Sequence, residues 1–184
     1  MNNLALRALY VSNGTFVFAG AMLVPLYAIF AEELWATIFI ISALTTVLLI
    51  AKVVTVLFLQ KFGDGFAEKV YLLIAGFVVR VIGWLGLLFF QSIPALFVMQ
   101  VILGFGDGVG SPSFRALFAT HLDKGKEVRR YSEWELVLAT GGSIGALTGG
   151  YIVTNFGFET LFVLMSGLAS VSTVVVLLKP CSLL

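Results

Sequence analysis

Charged residues are scarce in this chain. Aspartate, glutamate, lysine and arginine together make up 11% of its 184 residues, whereas soluble domains contain about 25%. Hydrophobic residues make up 60%, which leaves too few polar side chains to cover a surface that faces water. The composition therefore predicts an integral membrane protein of the cell or inner membrane, with the lipid bilayer as its main partner.

Residues that bind metals or form disulfides are also nearly absent. Cys181 is the single cysteine and His121 the single histidine, so neither a disulfide framework nor a zinc cluster can be built. The net charge of +1 gives no electrostatic basis for binding nucleic acid. No Gly-x-x-x-x-Gly-Lys-Ser/Thr segment occurs, which excludes the usual ATP loop. We expect no metal, no cofactor and no enzymatic activity.

Apolar segments of helix length follow one another along the whole chain. A membrane helix needs roughly 20 residues to cross a hydrocarbon core about 30 Å thick, and the alternating pattern of a β-barrel is absent. The expected spans cover residues 8–30, 35–59, 69–90, 95–119, 131–153 and 160–178. We predict an all-α integral membrane fold in which residues 1–184 form a single domain of six transmembrane helices.

The basic residues predict the orientation of the chain. Loops one, three and five contain no lysine or arginine, whereas loops two and four and both termini do. Cytoplasmic segments carry the excess of basic residues in membrane proteins, so both termini are expected in the cytoplasm. The basic residues of these two loops and the two termini are Arg7, Lys61, Lys69, Lys124, Lys126, Arg129, Arg130 and Lys179.

Residues 102–117 contain four glycines around Asp107. A phosphate loop would require Gly-Lys-Ser/Thr after the glycines, and a calcium loop would require further oxygen ligands after the aspartate; neither is present. In a helix Gly104 and Gly108 lie on one face, and Gly106 and Gly110 on another. Such spacings let neighbouring membrane helices approach closely, so we interpret these glycines as helix-packing residues.

Asp107 itself calls for a different explanation. It lies about 18 Å from the cytoplasmic end of its span at ~1.5 Å per residue, near the middle of the membrane, where an acidic residue indicates a functional role. Arg80, at a similar depth, is the best-matched partner, while Lys52 has a long stem that could reach it or snorkel. We predict Asp107, Arg80 and Lys52 as transport and coupling residues. The alternatives are a buried ion pair that only fixes helix register, or a cation–π contact of Arg80 with Trp84.

The fifth span resembles a known family pattern. Gly141-Gly-Ser-Ile-Gly145-Ala-Leu-Thr-Gly149-Gly150 is similar to Gly-x-x-x-Gly-Pro-x-x-Gly-Gly in the fifth helix of the major facilitator superfamily, with Ala146 in place of the proline. Whatever the family, Gly141, Gly145 and Gly149 form one stripe of small residues and Gly150 belongs to the next. We predict that this wide face packs against another helix.

Weaker resemblances to the same family occur elsewhere. Asp64 and Lys69 fit the loop motif that follows helix two, although four other positions of that motif differ. On helix four, Gln100 stands where an arginine is common, and the Gly104-Phe-Gly106 that should follow is retained. Arg129 matches the basic residue expected before helix five.

The resemblance implies a fold and a cavity. Transporters of this family have two six-helix halves, each built from two inverted three-helix repeats, and the six spans of this chain correspond to one half. Helices one and four line the central cavity in the family. Asn13, Tyr27 and Gln100 are therefore expected to line a cavity together with Asp107.

Three functional hypotheses follow. The first is a half-size secondary transporter that moves a small-molecule solute by alternating access, as a parallel homodimer with the twelve helices of a full transporter. The second is a six-helix subunit or scaffold that transports nothing, and the third is the N-terminal half of a longer transporter. Nothing in the sequence identifies the solute.

Overall fold

The computed structural model describes residues 4–62, 69–122 and 125–178. The loop residue Asp64, the basic residues Lys124 and Lys179 and the single cysteine lie outside these ranges. The described residues are almost entirely helical, without a strand. The elements are α1 (Leu4–Ala21), a short 3-10 turn (Val24–Leu26), α2 (Tyr27–Glu33), α3 (Ile38–Phe62), α4 (Lys69–Phe89), α5 (Ile93–Thr120) and α6 (Glu127–Leu177).

Five helical segments of the described residues are long and apolar enough to cross a membrane: Leu6–Glu33, Ile38–Phe62, Lys69–Phe89, Ile93–Thr120 and Glu127–Leu177. The first joins α1 and α2 through the 3-10 turn. That turn begins at Val24 and contains Pro25, which has no backbone N–H to donate to the preceding helical turn. The protein is therefore an all-helical membrane protein, as its composition predicted.

The start of the second expected span is wrong by three residues. Trp35, where the span was expected to begin, has a φ of 64°, a left-handed conformation that cannot continue an α-helix. The backbone N–H groups of Leu34, Trp35 and Ala36 instead close the end of α2 by bonding to carbonyls of residues 31 and 32. The helix consequently begins at Ile38.

The fifth and sixth expected spans lie in one element, in which two helices meet at a kink. This element, α6, has 51 residues, which would make a straight helix about 76 Å long, more than twice the thickness of a bilayer core. It is interrupted at Gly157, whose φ of 80° and ψ of 173° are not helical. The sequence correctly placed a break between residues 153 and 160, but the break is a kink at one residue and not a loop.

Close contacts between glycines set the spacing of α4 and α5. A Cβ atom added to Gly76 would lie 2.5 Å from the Cα atom of Gly110 and 2.9 Å from the carbonyl oxygen of Gly106. Real Cβ atoms do not approach backbone atoms so closely, so the two helix backbones touch here. This contact holds α5 directly against α4.

The expected helix-packing face of α5 lies against α3. Gly104 contacts the backbone of Leu48, and a Cβ on Gly108 would lie 2.7 Å from the Cβ of Thr55. The two glycines are one turn apart, and their partners follow the same spacing, since Gly104 meets Leu48 and Ala51 and Gly108 meets Lys52 and Thr55. The close approach brings the middle of α3 next to Asp107.

The glycines of α6 divide into two groups. Gly145 lies against Phe18 and Gly149 against Met22, so α6 packs along α1. Gly141 and Gly150 were also expected to pack. A Cβ atom added to either would have no neighbouring atom within 4 Å among the described residues. No close helix contact occurs at these two positions within the described residues, although Gly141 lies one turn before Gly145 on the same face.

Candidate functional site

A cavity of about 560 Å³ separates α1 from α5. These two helices barely touch, because α5 packs on α3 and α4 while α1 packs on α6. The side chains of α4 close the back of the gap. The first span contributes Asn13, Val17, Gly20, Val24 and Tyr27 to the cavity wall, and α4 contributes Arg80 and Trp84. The remaining wall includes Gln100, Asp107, Ser111, Phe114 and Arg115 from α5 and Trp134 from α6.

Asp107 lies at the centre of a charge cluster that joins three helices. Its Oδ2 is 2.6 Å from Nζ of Lys52 on α3, and its Oδ1 accepts a 3.3 Å hydrogen bond from Nη1 of Arg80 on α4. Ser111, one turn further along α5, donates a 2.7 Å hydrogen bond to the same Oδ1. Both carboxylate oxygens therefore have partners, as a charge inside a membrane requires.

Arg80 contacts two aromatic rings as well as its acid. The guanidinium carbon lies 4.5 Å from the centre of the Phe16 ring and 5.6 Å from that of Trp84, and the two rings are stacked 5.2 Å apart. Both distances are within the range of cation–π attraction. The side chain is nevertheless 23% exposed, and it is exposed into the cavity.

The structure changes the order of the predicted partners. Arg80 does contact Asp107, but Lys52, ranked second from its depth, makes the shorter contact. The Lys52 backbone lies at a different depth from Asp107, and its long side chain spans the difference, which is one of the two outcomes expected for it. Ser111 was missed, although its place four residues after Asp107 on one helix face was a usable signal. The Phe16 contact with Arg80 had no sequence signal, because the two residues lie on helices with no fixed spacing.

The three residues expected to line the cavity all lie on its wall. Asn13 lies on α1, and Tyr27 and Gln100 face each other from α2 and α5. The Tyr27 hydroxyl and Gln100 Oε1 are buried and have no hydrogen-bond partner among the described residues. These two polar groups therefore lie against each other at this end of the cavity, shielded from its interior.

The polar residues of α5 form one stripe along the cavity. Gln100, Asp107 and Ser111 are separated by seven and four residues, a spacing that keeps them on one helix face. Arg115 continues the wall and makes no ion pair with any described residue. From Gln100 to Arg115 the stripe extends about 22 Å along the helix, so the cavity offers polar groups at several depths.

A second group of charges lies outside the cavity, at the start of α6. Arg129 and Arg130 contact Glu133 at 3.0 and 2.8 Å, and the Tyr10 hydroxyl donates to the backbone oxygen of Arg130. Of the two residues expected in the loop motif, Lys69 lies within the described residues and is the first residue of α4. No group of three or more metal-ligating side chains occurs within residues 4–62, 69–122 and 125–178.

Comparisons with known proteins give one family match and one solved structure with a similar fold. The family model described as Major Facilitator Superfamily matches residues 9–181. No curated protein is significantly similar in sequence. Among solved structures, the in meso crystal structure of the POT family transporter PepTSo is similar, with a TM-score of 0.82 and 15% sequence identity. The similarity covers 97% of this chain and 37% of that one, so the chain spans well under half the length of that transporter.

Proposed function

This chain belongs to the major facilitator superfamily, and on that premise we propose that it is a secondary transporter bundle that moves a small solute by alternating access. The carrying observation is the cavity between α1 and α5, with the Lys52–Asp107–Arg80 cluster at its edge. Its volume of about 560 Å³ is in the range of small-molecule sites. The polar stripe of α5 supplies groups that a solute can contact successively as it crosses.

The exposure of the charge cluster favours transport over a purely structural role. An ion pair that served only to fix helix register would be strongest if it were shielded from water, because water weakens the attraction between the two charges. Asp107 and Arg80 are each 23% exposed and both face the cavity. A scaffold does not require this access, whereas a coupling site does.

We propose six membrane crossings arranged as two inverted three-helix repeats, with both termini in the cytoplasm. In this arrangement α6 crosses twice, reversing at Gly157. The burial of Leu161, Met165, Ala169 and Val176 supports the reversal, because a straight continuation of α6 would carry these residues beyond the bundle. The distribution of lysine and arginine supports the orientation.

We further propose that two copies associate as a parallel homodimer with their cavities facing each other. The cavity reaches the outer surface of the bundle at Val24, which is 76% exposed, and its wall includes Asp107, Arg80 and Arg115. Charges that face lipid cost several kcal/mol each, so this side of the bundle needs a cover. A second copy related by a two-fold axis along the membrane normal supplies one.

Flux across vesicles tests the transport proposal. The purified protein in liposomes should take up at least one member of a broad solute panel when a proton or sodium gradient is imposed. Val17 lines the cavity, so the larger side chain of Val17→Trp would occupy its space and should abolish that flux. Val163→Trp is the matched control, since Val163 is exposed on α6 away from the cavity, and it should leave the flux unchanged. Absence of flux across the whole panel would favour the scaffold.

Disulfide crosslinking tests the dimer. In a Cys181→Ser background, Val24→Cys places a thiol at the cavity rim, where Val24 is 76% exposed. Parallel copies with facing cavities should form a crosslinked dimer in native membranes, and Val163→Cys should not. In an antiparallel pair the two Val24 positions, each about 9 Å from the end of its span, would lie roughly 12 Å apart along the membrane normal, beyond the ~7 Å Cα separation that a disulfide allows.

A further inference from the structure

The cavity has more positive than negative charge. Arg80 and Arg115 line it, and Lys52 contacts it through Asp107. Asp107 is the only acidic residue among the described residues of the wall. One carboxylate can neutralise one of these three cations, so the site has excess positive charge in a region of low dielectric constant.

Arg80 has N–H donors that do not bind Asp107. A guanidinium has five N–H groups, and Arg80 donates one hydrogen bond, through Nη1. Its Nη2 is close to Gly20 on the opposite wall, 3.6 Å from where a Cβ would stand on that residue. Because Gly20 has no side chain, the space in front of Nη2 stays open to the cavity.

Arg115 adds a second donor group to the same wall. It is an exposed residue and has no acidic partner among the described residues. It lies eight residues after Asp107, about 12 Å along α5. A ligand in the cavity can therefore meet a guanidinium from α4 and another from α5.

The remaining wall is largely aromatic. Trp84, Phe114 and Trp134 surround the two arginines, and such rings bind the apolar part of a ligand. A cationic ligand would increase the excess charge of this site, and a neutral ligand would leave it uncompensated. An anion removes it, through charge-assisted hydrogen bonds of the kind that guanidinium groups form with carboxylates and phosphates.

We propose that the solute of this cavity is a small organic anion. Its acidic group binds Arg80 and Arg115, and its apolar part lies against Trp84, Phe114 and Trp134. The proposal rests on the proposed transport function and specifies the class of solute that the site takes.

Matched ligands that differ in charge test this assignment in the full-length protein. The probes are phenylacetate, phenylacetamide and 2-phenylethylammonium, which share an aromatic ring. Two of the three tryptophans, Trp84 and Trp134, line the cavity, so binding is read from tryptophan fluorescence. Phenylacetate should give a saturable change that is lost in a Trp84→Phe, Trp134→Phe variant, and the amide and the amine should give none.

Arginine variants test which group binds the acid. Arg115→Gln should weaken the apparent affinity for phenylacetate about tenfold or more, since it removes a charge-assisted hydrogen bond. Lys61→Gln, a change of another exposed cation at the end of α3, should have no effect. Arg115 is exposed, so its replacement is not expected to unfold the chain, and circular dichroism of both variants checks this.

Three outcomes would overturn the anion assignment. They are equal binding of the amide or the amine, no saturable response to phenylacetate, and equal affinities of the Arg115→Gln and Lys61→Gln variants. Flux of a neutral or cationic solute that Val17→Trp blocks would overturn the anion and leave the transport function standing. Phenylacetate binding without flux of any solute would instead leave an anion-binding site in a protein that does not transport.

Discussion

Lys52 Nζ lies 2.6 Å from Asp107 Oδ2, closer than the 3.3 Å between Arg80 Nη1 and the other carboxylate oxygen. The two cations come from α3 and α4, and the acid comes from α5 between them. Since the glycines of α5 bring these three backbones together, the cluster and the helix packing depend on each other. Any shift of α5 along its neighbours must change both contacts of Asp107.

Replacement of Asp107 by asparagine separates the functional role of the charge from its shape. If the acid couples transport to a gradient, Asp107→Asn abolishes coupled uptake and leaves the protein folded, because the amide has the same shape but cannot titrate. Uptake into vesicles and thermal unfolding in detergent measure the two effects. Glu133→Gln is the control, since Glu133 pairs with Arg129 and Arg130 outside the cavity, and it should change neither.

A structural role would give the opposite balance. Removing the partner of a buried charge costs roughly 3–5 kcal/mol, so Asp107→Asn would then unfold at a clearly lower temperature. Because Arg80 and Lys52 both contact Asp107, the Asp107→Asn, Arg80→Gln, Lys52→Gln triple variant decides between the two roles. If it regains both stability and transport, the acid was structural and the coupling role is wrong.

The aromatic contact of Arg80 provides a second prediction. Phe16→Leu removes the ring that lies 4.5 Å from the guanidinium carbon and 4.1 Å from the Phe77 ring. We expect a loss of about 1–2 kcal/mol in the free energy of unfolding, from the cation–π contact and from incomplete filling of the site. Denaturant titration in detergent measures it.

The matched control for this change is Phe58→Leu. Phe58 also contacts another ring, that of Phe62, but it is 58% exposed on α3. Its replacement should cost less than about 0.5 kcal/mol, as surface substitutions usually do. Equal losses for the two variants would show that Arg80 gains nothing from Phe16.

How far the site could be predicted depended on how local each contact is. Asp107 and Arg80 were identified because a charge within an apolar run is visible in the sequence and its depth can be counted. Lys52 was ranked second, because the sequence left open whether its long side chain reaches Asp107 or snorkels to the membrane surface. Phe16 was not identified at all, since its contact with Arg80 depends on how α1 lies across α4.

The glycine contact between α4 and α5 leads to a third prediction. Gly76→Ala would place a Cβ 2.5 Å from the Cα of Gly110, so the helices must separate, at a cost of about 1–3 kcal/mol. Gly110→Ala is the control within the same contact. Its Cβ would lie 3.5 Å from Gly76, an ordinary distance, and alanine favours a helix by up to about 1 kcal/mol.

Thermal unfolding in detergent should therefore move in opposite directions for these two variants. A lower unfolding temperature for Gly76→Ala and an equal or higher one for Gly110→Ala is the expected result. The same loss for both would mean that the two backbones do not touch as the structure has them.

The fold was predictable where it follows from local properties and not where it follows from packing. Runs of apolar residues identified the helices, and the segment around Gly157 identified the break between residues 153 and 160. The spacing of Gly141, Gly145 and Gly149 predicted a helix contact, but it could not tell which positions have a partner. Gly145 and Gly149 contact α1, while a Cβ on Gly141 would meet open space, although the three glycines share a face.

The kink in α6 provides the last prediction. Gly157 has a φ of 80° and a ψ of 173°, in a region of backbone conformation that is essentially restricted to glycine. Gly157→Ala should lower the free energy of unfolding by about 1–3 kcal/mol, although no atom lies within 4 Å of its Cβ position. The loss would come from backbone strain alone. Denaturant titration in detergent, with helix content followed by circular dichroism, measures it.

Gly167→Ala is the matched control, because Gly167 lies in the same element, also has open space around it, and has no positive φ. It should be neutral or stabilise the protein by up to about 1 kcal/mol, as alanine is the better helix former. If Gly157→Ala were equally harmless, residue 157 would be able to adopt a helical conformation. The two parts of α6 would then have no fixed point of reversal, and the proposal that this element crosses the membrane twice would fail with it.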